Sequence, residues 1–342
     1  MGSRKSLLTI DQENMKTGAA NQMMGFWLEN QSLSLRTDIP RPNPESGEAL
    51  IRIRLAGICA TDLEMIKGYY PFTGVLGHEF VGQVVRAPGA PDWEGQRVVG
   101  EINISCGTCP ACQRGDGSHC SHRQSLGIKH WPGVFAEYAQ LPIRNLHPVP
   151  DNLPDDLAVF AEPLAAAVEI LTQVDVTSEM RVLLIGAGRL GLLIAQTLAQ
   201  TGCQLTVVIR HEHQRQILQA WQIETVREAK ITTNQMDIVV EATGSPSGFA
   251  LATQAVRPRG TIILKSTYAG NIEVDFSALV VDEITVIGSR CGPFPPALEL
   301  LQTGQVDPSL LISAKYPLRA GLQAIKHAAR PGVLKVLLES ED

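Results

Sequence analysis

The sequence predicts an α/β protein in which a β-rich, irregular first part precedes a doubly wound parallel sheet. Three features carry that expectation. Short strands broken by Gly and Pro fill the stretch from about Met24 to about Pro154. From about Pro154 apolar strands alternate with helical stretches. One such strand runs into a helix through Gly186-Ala187-Gly188-Arg189-Leu190-Gly191.

Residues 1–24 carry Gln, Asn, Lys, Ser and Met without a period and read as a loose N-terminal extension. The run Leu7-Leu8-Thr9-Ile10 is stopped by Asp11, too soon for the core of a signal peptide. Ala49–Leu55 alternates in part, as a strand with one covered face does, and Phe80–Val85 and Gln96–Gly100 are similar. Leu164–Val174 is rich in Ala and Leu and suits a helix. Arg181–Ile185 is a continuous apolar strand of the kind covered on both faces. A helix over Leu190–Thr201 follows, then strands at Gln204–Ile209, Met236–Glu241, Thr261–Leu264 and Ile284–Ile287. Val333–Glu339 reads as a last strand that returns to the first part.

Composition removes several classes. The 342 residues leave room for two domains, and 44% hydrophobic with 19% charged residues suits an ordinary folded chain. Lys+Arg of 29 against Asp+Glu of 35 gives −6, which disfavours nucleic acid held by bulk positive charge. No window reaches the roughly 18 apolar residues of a membrane span. Seven cysteines, an odd number in a chain this long, do not make a disulfide scaffold. A reducing cytoplasm is the expected location.

The glycine turn follows a strand and opens a helix, which is the context a dinucleotide-binding turn requires. Gly186 permits the tight turn, Gly188 the approach of a pyrophosphate, and Gly191 close helix–strand packing. The helix N-terminus then offers free N–H groups to phosphates. The alternative is a glycine turn with no ligand. An acidic residue after the second strand would bond the ribose 2′-hydroxyl of NAD, but Arg210 stands there, with His211 and Arg215 close by. A guanidinium suits a 2′-phosphate, so NADP is expected over NAD. The alternatives place Arg210 on the adenine or in solvent.

Cys106, Cys109, Cys112 and Cys120 crowd into one short segment, and four thiolates can surround one structural Zn²⁺. Two disulfides or four unliganded thiols are the disfavoured alternatives. A dispersed set, Cys59, His78, Glu79 and Glu162, has the composition of a catalytic zinc site, though its spacing alone is weak. Cys203 and Cys291 read as small core residues, and His119 and His122 as surface residues of the cysteine lobe. Trp131 reads either as an apolar lid or as a packed residue of an exposed loop. Arg290, just after a strand, stands within possible reach of a cofactor.

GICATD around Cys59, GHEFVGQVV from Gly77, the four-cysteine lobe and the GAGRLG turn occur in the order of a known family. From about Met24 to its end, the chain resembles the zinc-dependent medium-chain dehydrogenase/reductase family of alcohol, polyol and threonine dehydrogenases. The resemblance implies a GroES-like catalytic domain from residues 25–155 and 288–342, and a Rossmann domain over 156–287. It implies that Cys59 and His78 bind a catalytic zinc, with Glu79 as a third or exchangeable ligand. Glu162 falls where alcohol dehydrogenases have a second cysteine and polyol and threonine dehydrogenases a glutamate. Asp62 would orient His78, Thr61 would pass on the substrate proton, and Thr243-Gly244 would run under the nicotinamide.

Two zinc ions per chain and a homodimer or homotetramer follow from the same resemblance. The implied reaction is hydride transfer between NAD(P) and a secondary alcohol, polyol or amino alcohol, or the matching carbonyl. Glu64 stands where many relatives carry a His of the proton relay, so the relay beyond Thr61 is open. A non-catalytic NAD(P)H-binding sensor is the alternative reading. A zinc-free reductase is disfavoured, because it would lack both ligand sets.

Overall fold

A computed structural model describes residues 21–267 and 271–340. Most of the expected N-terminal extension lies outside the described residues. Its last residues do not: strand β1 (Gln22–Glu29) has already begun, with Met23, Phe26 and Leu28 buried. It forms an antiparallel hairpin with β2 (Ser32–Pro40).

The chain divides into two compact units. The first holds the described residues up to Val149, with Ala314–Arg330 and the segment from Val336 onward. The second holds Pro150–Ser313 and Pro331–Lys335.

In the first unit, β3 (Glu48–Ile58) is buried almost end to end because it lies inside a seven-stranded sheet. Helix α1 (Ala60–Ile66) follows it directly. Next come β4 (Gly74–Val75), β5 (Glu79–Arg86), β6 (Arg97–Gly100) and β7 (Asn103–Ile104). The short helix α2 (Pro110–Gln113) starts on a proline. Strands β8 (Gln124–Leu126) and β9 (His130–Trp131) join β7 in a small separate sheet. The last strands before the second unit are β10 (Tyr138–Pro142) and β11 (Leu146–Pro148).

The second unit is a six-stranded parallel sheet. Helix α3 (Ala161–Gln173) leads into β12 (Arg181–Ile185) and α4 (Arg189–Ala199). Then come β13 (Gln204–Val208), α5 (Glu212–Ala220), β14 (Glu224–Val226), β15 (Met236–Glu241) and α6 (Pro246–Ala255). The series closes with β16 (Val256–Leu264), α7 (Phe276–Val281), β17 (Thr285–Gly288) and α8 (Phe294–Gln302). The strand order is β14-β13-β12-β15-β16-β17. The order reverses between β12 and β15, and such a switch point is where open α/β sheets bind ligands. Leu183, Ile185, Val239 and Ile262 pack there with Phe249 and Ala252 of α6.

Two boundaries differ from the sequence expectation. The second unit extends beyond 156–287, because α8 buries Phe294, Ala297, Leu298 and Leu301 and packs on α3. Strand β16 begins at Val256 rather than Thr261. Pro258 and Gly260 weaken its first half, where the register shifts. Strand β17 is the exposed edge of the sheet, with Val286 41% accessible.

The chain then adds β18 (Ile312–Pro317), α9 (Gly321–Ala328) and β19 (Lys335–Glu339). Strand β19 pairs antiparallel with β3, Val336 opposite Ile58, so the last strand does return to the first sheet.

Candidate functional site

The cysteine lobe sits between β7 and β8. Cys106 follows β7, Cys109 caps α2, Cys112 lies within that helix, and Cys120 ends the 3₁₀ turn after it. Their Sγ atoms are 3.5 Å apart for Cys106–Cys120 and for Cys109–Cys112, 3.7 Å for Cys109–Cys120 and 4.0 Å for Cys106–Cys112. A tetrahedral zinc with bonds of about 2.3 Å sets its sulfurs roughly 3.8 Å apart. A disulfide needs about 2.0 Å, and all four cysteines are free. Backbone N–H groups of Cys106, Cys109 and His122 point at these sulfurs.

Hydrogen bonds from Thr108 and the Cys109 amide hold the Cys106 thiol down at about 5. Amides of Cys112 and Ser121 bring Cys109 to about 6. Burial and the adjacent sulfurs push Cys112 up to about 11. Four sulfurs this close ionise together only around a cation. His119 and His122 are exposed and bond their neighbouring serines, outside the sulfur set.

A second donor group forms where β3 and β5 pair. Their register puts Gly57 opposite Glu79, which brings the end of β3 to the start of β5. Cys59 Sγ, a His78 ring nitrogen and a Glu79 carboxylate oxygen lie within 4.8 Å of one another. A β-carbon at residue 57 would collide with Glu79 Oε2, so glycine there leaves the carboxylate its place. His78 and Glu79 are buried. Asp62 is fully buried and accepts the Cys59 N–H at 2.7 Å, which fixes the turn from β3 into α1.

Asp62 also lies 3.2 Å from His78 Nδ1. Burial opposes the imidazolium, but Asp62 and then Cys59 outweigh it and lift His78 well above its usual pKa. One thiolate, one imidazole and one carboxylate suit Zn²⁺ and leave a coordination position for a further ligand. Thr61 Oγ1 is 3.8 Å from Cys59 Sγ. Glu64 is exposed, and its carboxylate bonds Lys67 at 2.8 Å. Glu162 belongs to the second unit, in the first turn of α3. Trp131 donates its indole N–H to the Gln140 carbonyl at 2.7 Å, which pins it against β10.

The second unit holds a cavity of about 190 Å³ at the switch point. Gly186, Ala187 and Gly188 line it with Arg210, Thr243 and Ser247. Gly186 adopts φ of +109°, and a β-carbon at Gly191 would run into the Gly186 carbonyl. The strand-to-helix turn therefore requires glycine at both positions. Gly188 caps α4, and Arg189 and Leu190 form its first turn. Arg189 reaches the Val333 carbonyl at 3.4 Å.

Arg210 lies 3.4 Å from Ser247 Oγ at the cavity wall. Arg215 instead pairs with Glu212 at 3.4 Å, and it is not among the residues lining the cavity. Thr243 donates its N–H to the buried Glu241 carboxylate at 2.7 Å, and Gly244 donates to Ser266 Oγ at 2.9 Å.

Sequence reasoning passed over Gln214. Its Oε1 accepts the N–H groups of Arg210 and His211 at 3.0 Å, and its Nε2 donates to the Ala187 carbonyl at 3.0 Å. That side chain ties the Arg210 turn to the glycine turn. The available signal was its place three residues after the helix cap His211.

Comparison with known proteins gives the family. Residues 45–151 match the alcohol dehydrogenase GroES-like domain, and residues 190–303 match the zinc-binding dehydrogenase family. The L-threonine 3-dehydrogenase of Pyrococcus horikoshii is 31% identical over 307 residues, covering 82% of this chain and 87% of the relative. The sorbitol dehydrogenase of Halalkalibacterium halodurans is 28% identical over 326 residues, covering 89% and 94%. A zinc-binding dehydrogenase of Sinorhizobium meliloti, solved with NADP, superimposes with a TM-score of 0.86 at 27% identity, covering 93% and 99%. The chain belongs to the zinc-dependent medium-chain dehydrogenases, nicotinamide-linked oxidoreductases that act on CH–OH groups.

Proposed function

We propose that the chain oxidises a secondary alcohol of a polyol or amino alcohol, or reduces the matching carbonyl, with NADP as the hydride partner. The observation that carries this reading is the clustering of Cys59, His78 and Glu79 donors in a chain that also has the glycine-turn cavity. Cys59 and His78 hold the catalytic metal, with Glu79 or Glu162 as the carboxylate ligand. When bound, zinc supplies Lewis-acid polarisation of the substrate oxygen, and the nicotinamide carries the hydride.

Thr61 takes the hydroxyl proton at Oγ1. The exposed Glu64 carboxylate pairs with Lys67 at 2.8 Å, which supports water over Glu64 as the next proton carrier after Thr61. Asp62, 3.2 Å from Nδ1, orients the His78 ring. The N–H groups of the turn from Gly186 to Gly191 receive the pyrophosphate. Thr243 and Gly244 support the nicotinamide half.

Arg210 at the cavity wall supports NADP over NAD. Arg215, committed to Glu212, adds little. Steady-state kinetics check the preference: kcat/KM is expected to be higher with NADPH than with NADH. Arg210→Asp is expected to reverse the order by tenfold or more, roughly one bidentate charged contact. A wild-type preference for NADH contradicts the assignment.

A second zinc fills the four cysteines, giving two per chain. Metal analysis of purified protein tests the count. The free cysteines support a reducing compartment, the cytoplasm. Among the described residues no helix is long and apolar enough to cross a membrane. Phe276, Val280 and Val281 of α7 are 71%, 74% and 78% exposed beside the edge strand β17, which supports a homodimer or homotetramer.

The substrate class is tested by screening alcohols, polyols, L-threonine and aldehydes with both cofactors on zinc-loaded protein. Turnover of a polyol or amino alcohol supports the reading. No turnover across the panel contradicts it.

A further inference from the structure

Lys265 follows the last residue of β16, at the C-terminal edge of the parallel sheet. Its ammonium is partly buried and makes three hydrogen bonds. It donates to the Ala166 carbonyl of α3 at 2.6 Å, to Ser289 Oγ at 3.0 Å and to the Arg290 carbonyl at 2.8 Å. An ammonium has three N–H donors, so its hydrogen-bonding capacity is filled.

Those bonds tie the ends of β16 and β17 to α3. Backbone bonds continue the lacing: Lys265 N–H to the Glu241 carbonyl and Ser289 N–H to the Leu264 carbonyl, both at 2.9 Å. Gly244 N–H to Ser266 Oγ at 2.9 Å joins the end of β15. The three strand ends on this side of the switch point are thus held in one arrangement.

A dinucleotide crosses a doubly wound sheet at its switch point, one mononucleotide on each side. Arg210 follows β13, so the adenosine half belongs to the β12–β13 side. The nicotinamide half then lies over the ends of β15, β16 and β17. We propose that Lys265 is a positioning residue for the nicotinamide ring, acting through the backbone of residues 264–266 and 289–290 that it fastens. This rests on the dehydrogenase reading given above.

A cation withdrawn from water is costly unless it is paired or hydrogen-bonded. Burial pulls the ammonium down to about 8, while Cys291, Glu169 and Glu162 pull the other way. An apolar side chain would end the strand without that cost, yet a lysine stands where three strand ends meet.

The test separates the two halves of the cofactor. Lys265→Met keeps most of the length of the side chain and removes the three bonds. Binding of NADPH and of 2′-phospho-ADP-ribose, which lacks the nicotinamide, is measured by calorimetry alongside kcat. K265M is expected to weaken NADPH about tenfold and lower kcat by a similar factor, while the ring-less ligand changes less than about twofold. Ser289→Ala removes one acceptor and is expected to show the same pattern with a smaller change, and it carries the test if K265M does not fold. Equal effects on both ligands, or none on either, overturn the proposal. Wild-type protein that binds neither NADPH nor NADH overturns the dehydrogenase reading instead.

Discussion

His78 faces competing demands. Asp62 raises its affinity for a proton, and a metal ligand must give that proton up. The sign follows directly. As pH falls, the proton competes better, so zinc loading of this site is expected to weaken at acid pH before the fold fails. Metal content measured after equilibration across a pH series checks this. Cys59→Ala is expected to lower kcat by about a thousandfold or more while one zinc per chain remains in the cysteine lobe. Retained turnover in a metal-verified C59A sample contradicts the assignment.

Sequence made these residues visible unevenly. Gly186, Gly188 and Gly191 are legible because the turn is local, and strand, turn and helix are adjacent in the chain. The approach of Cys59 to His78 and Glu79 is not legible from spacing. It depends on the register of β3 against β5, a long-range fact that only the resemblance supplied. Lys265 was missed because a lysine closing an apolar strand reads as a solvent-facing end, and its three acceptors come from Ala166, Ser289 and Arg290.

The cysteine lobe is the element with the least core of its own. Strands β7, β8 and β9 are two or three residues each, too short for a sheet to stand without further support. Cys109→Ala breaks the sulfur tetrahedron and is expected to lower the melting temperature and release one zinc per chain. Differential scanning calorimetry with metal analysis checks it, and an unchanged melting profile with full metal content contradicts it. In the second unit, a β-carbon at Gly191 meets the Gly186 carbonyl, so Gly191→Val is expected to abolish cofactor binding. The run Arg181–Ile185 predicted its strand residue for residue, since a parallel strand covered on both faces leaves an unbroken apolar signature. The run Ile284–Ile287 is also mostly apolar, yet edge strand β17 exposes Val286, and periodicity cannot distinguish the two.

The chain as a whole carries −6 charges, yet Arg210 lines the cavity at the switch point. That local exception sets the expected cofactor, where net charge says nothing. The exposed apolar face of α7 beside β17 leads to an expected dimer or larger assembly. Light scattering after gel filtration checks it, and a monomer at micromolar concentration contradicts it. The two units were legible as a change of texture near Pro154. Their limits were less so, because α8 joins the second unit by packing on α3, with no local mark at residue 288.

The most direct measurement is the rate of NADP reduction with the best polyol or amino alcohol, before chelation, after chelation and after zinc is returned. A zinc-dependent dehydrogenase loses the rate on chelation and regains it with zinc. An undiminished rate in protein verified free of metal contradicts the zinc chemistry assigned to Cys59 and His78.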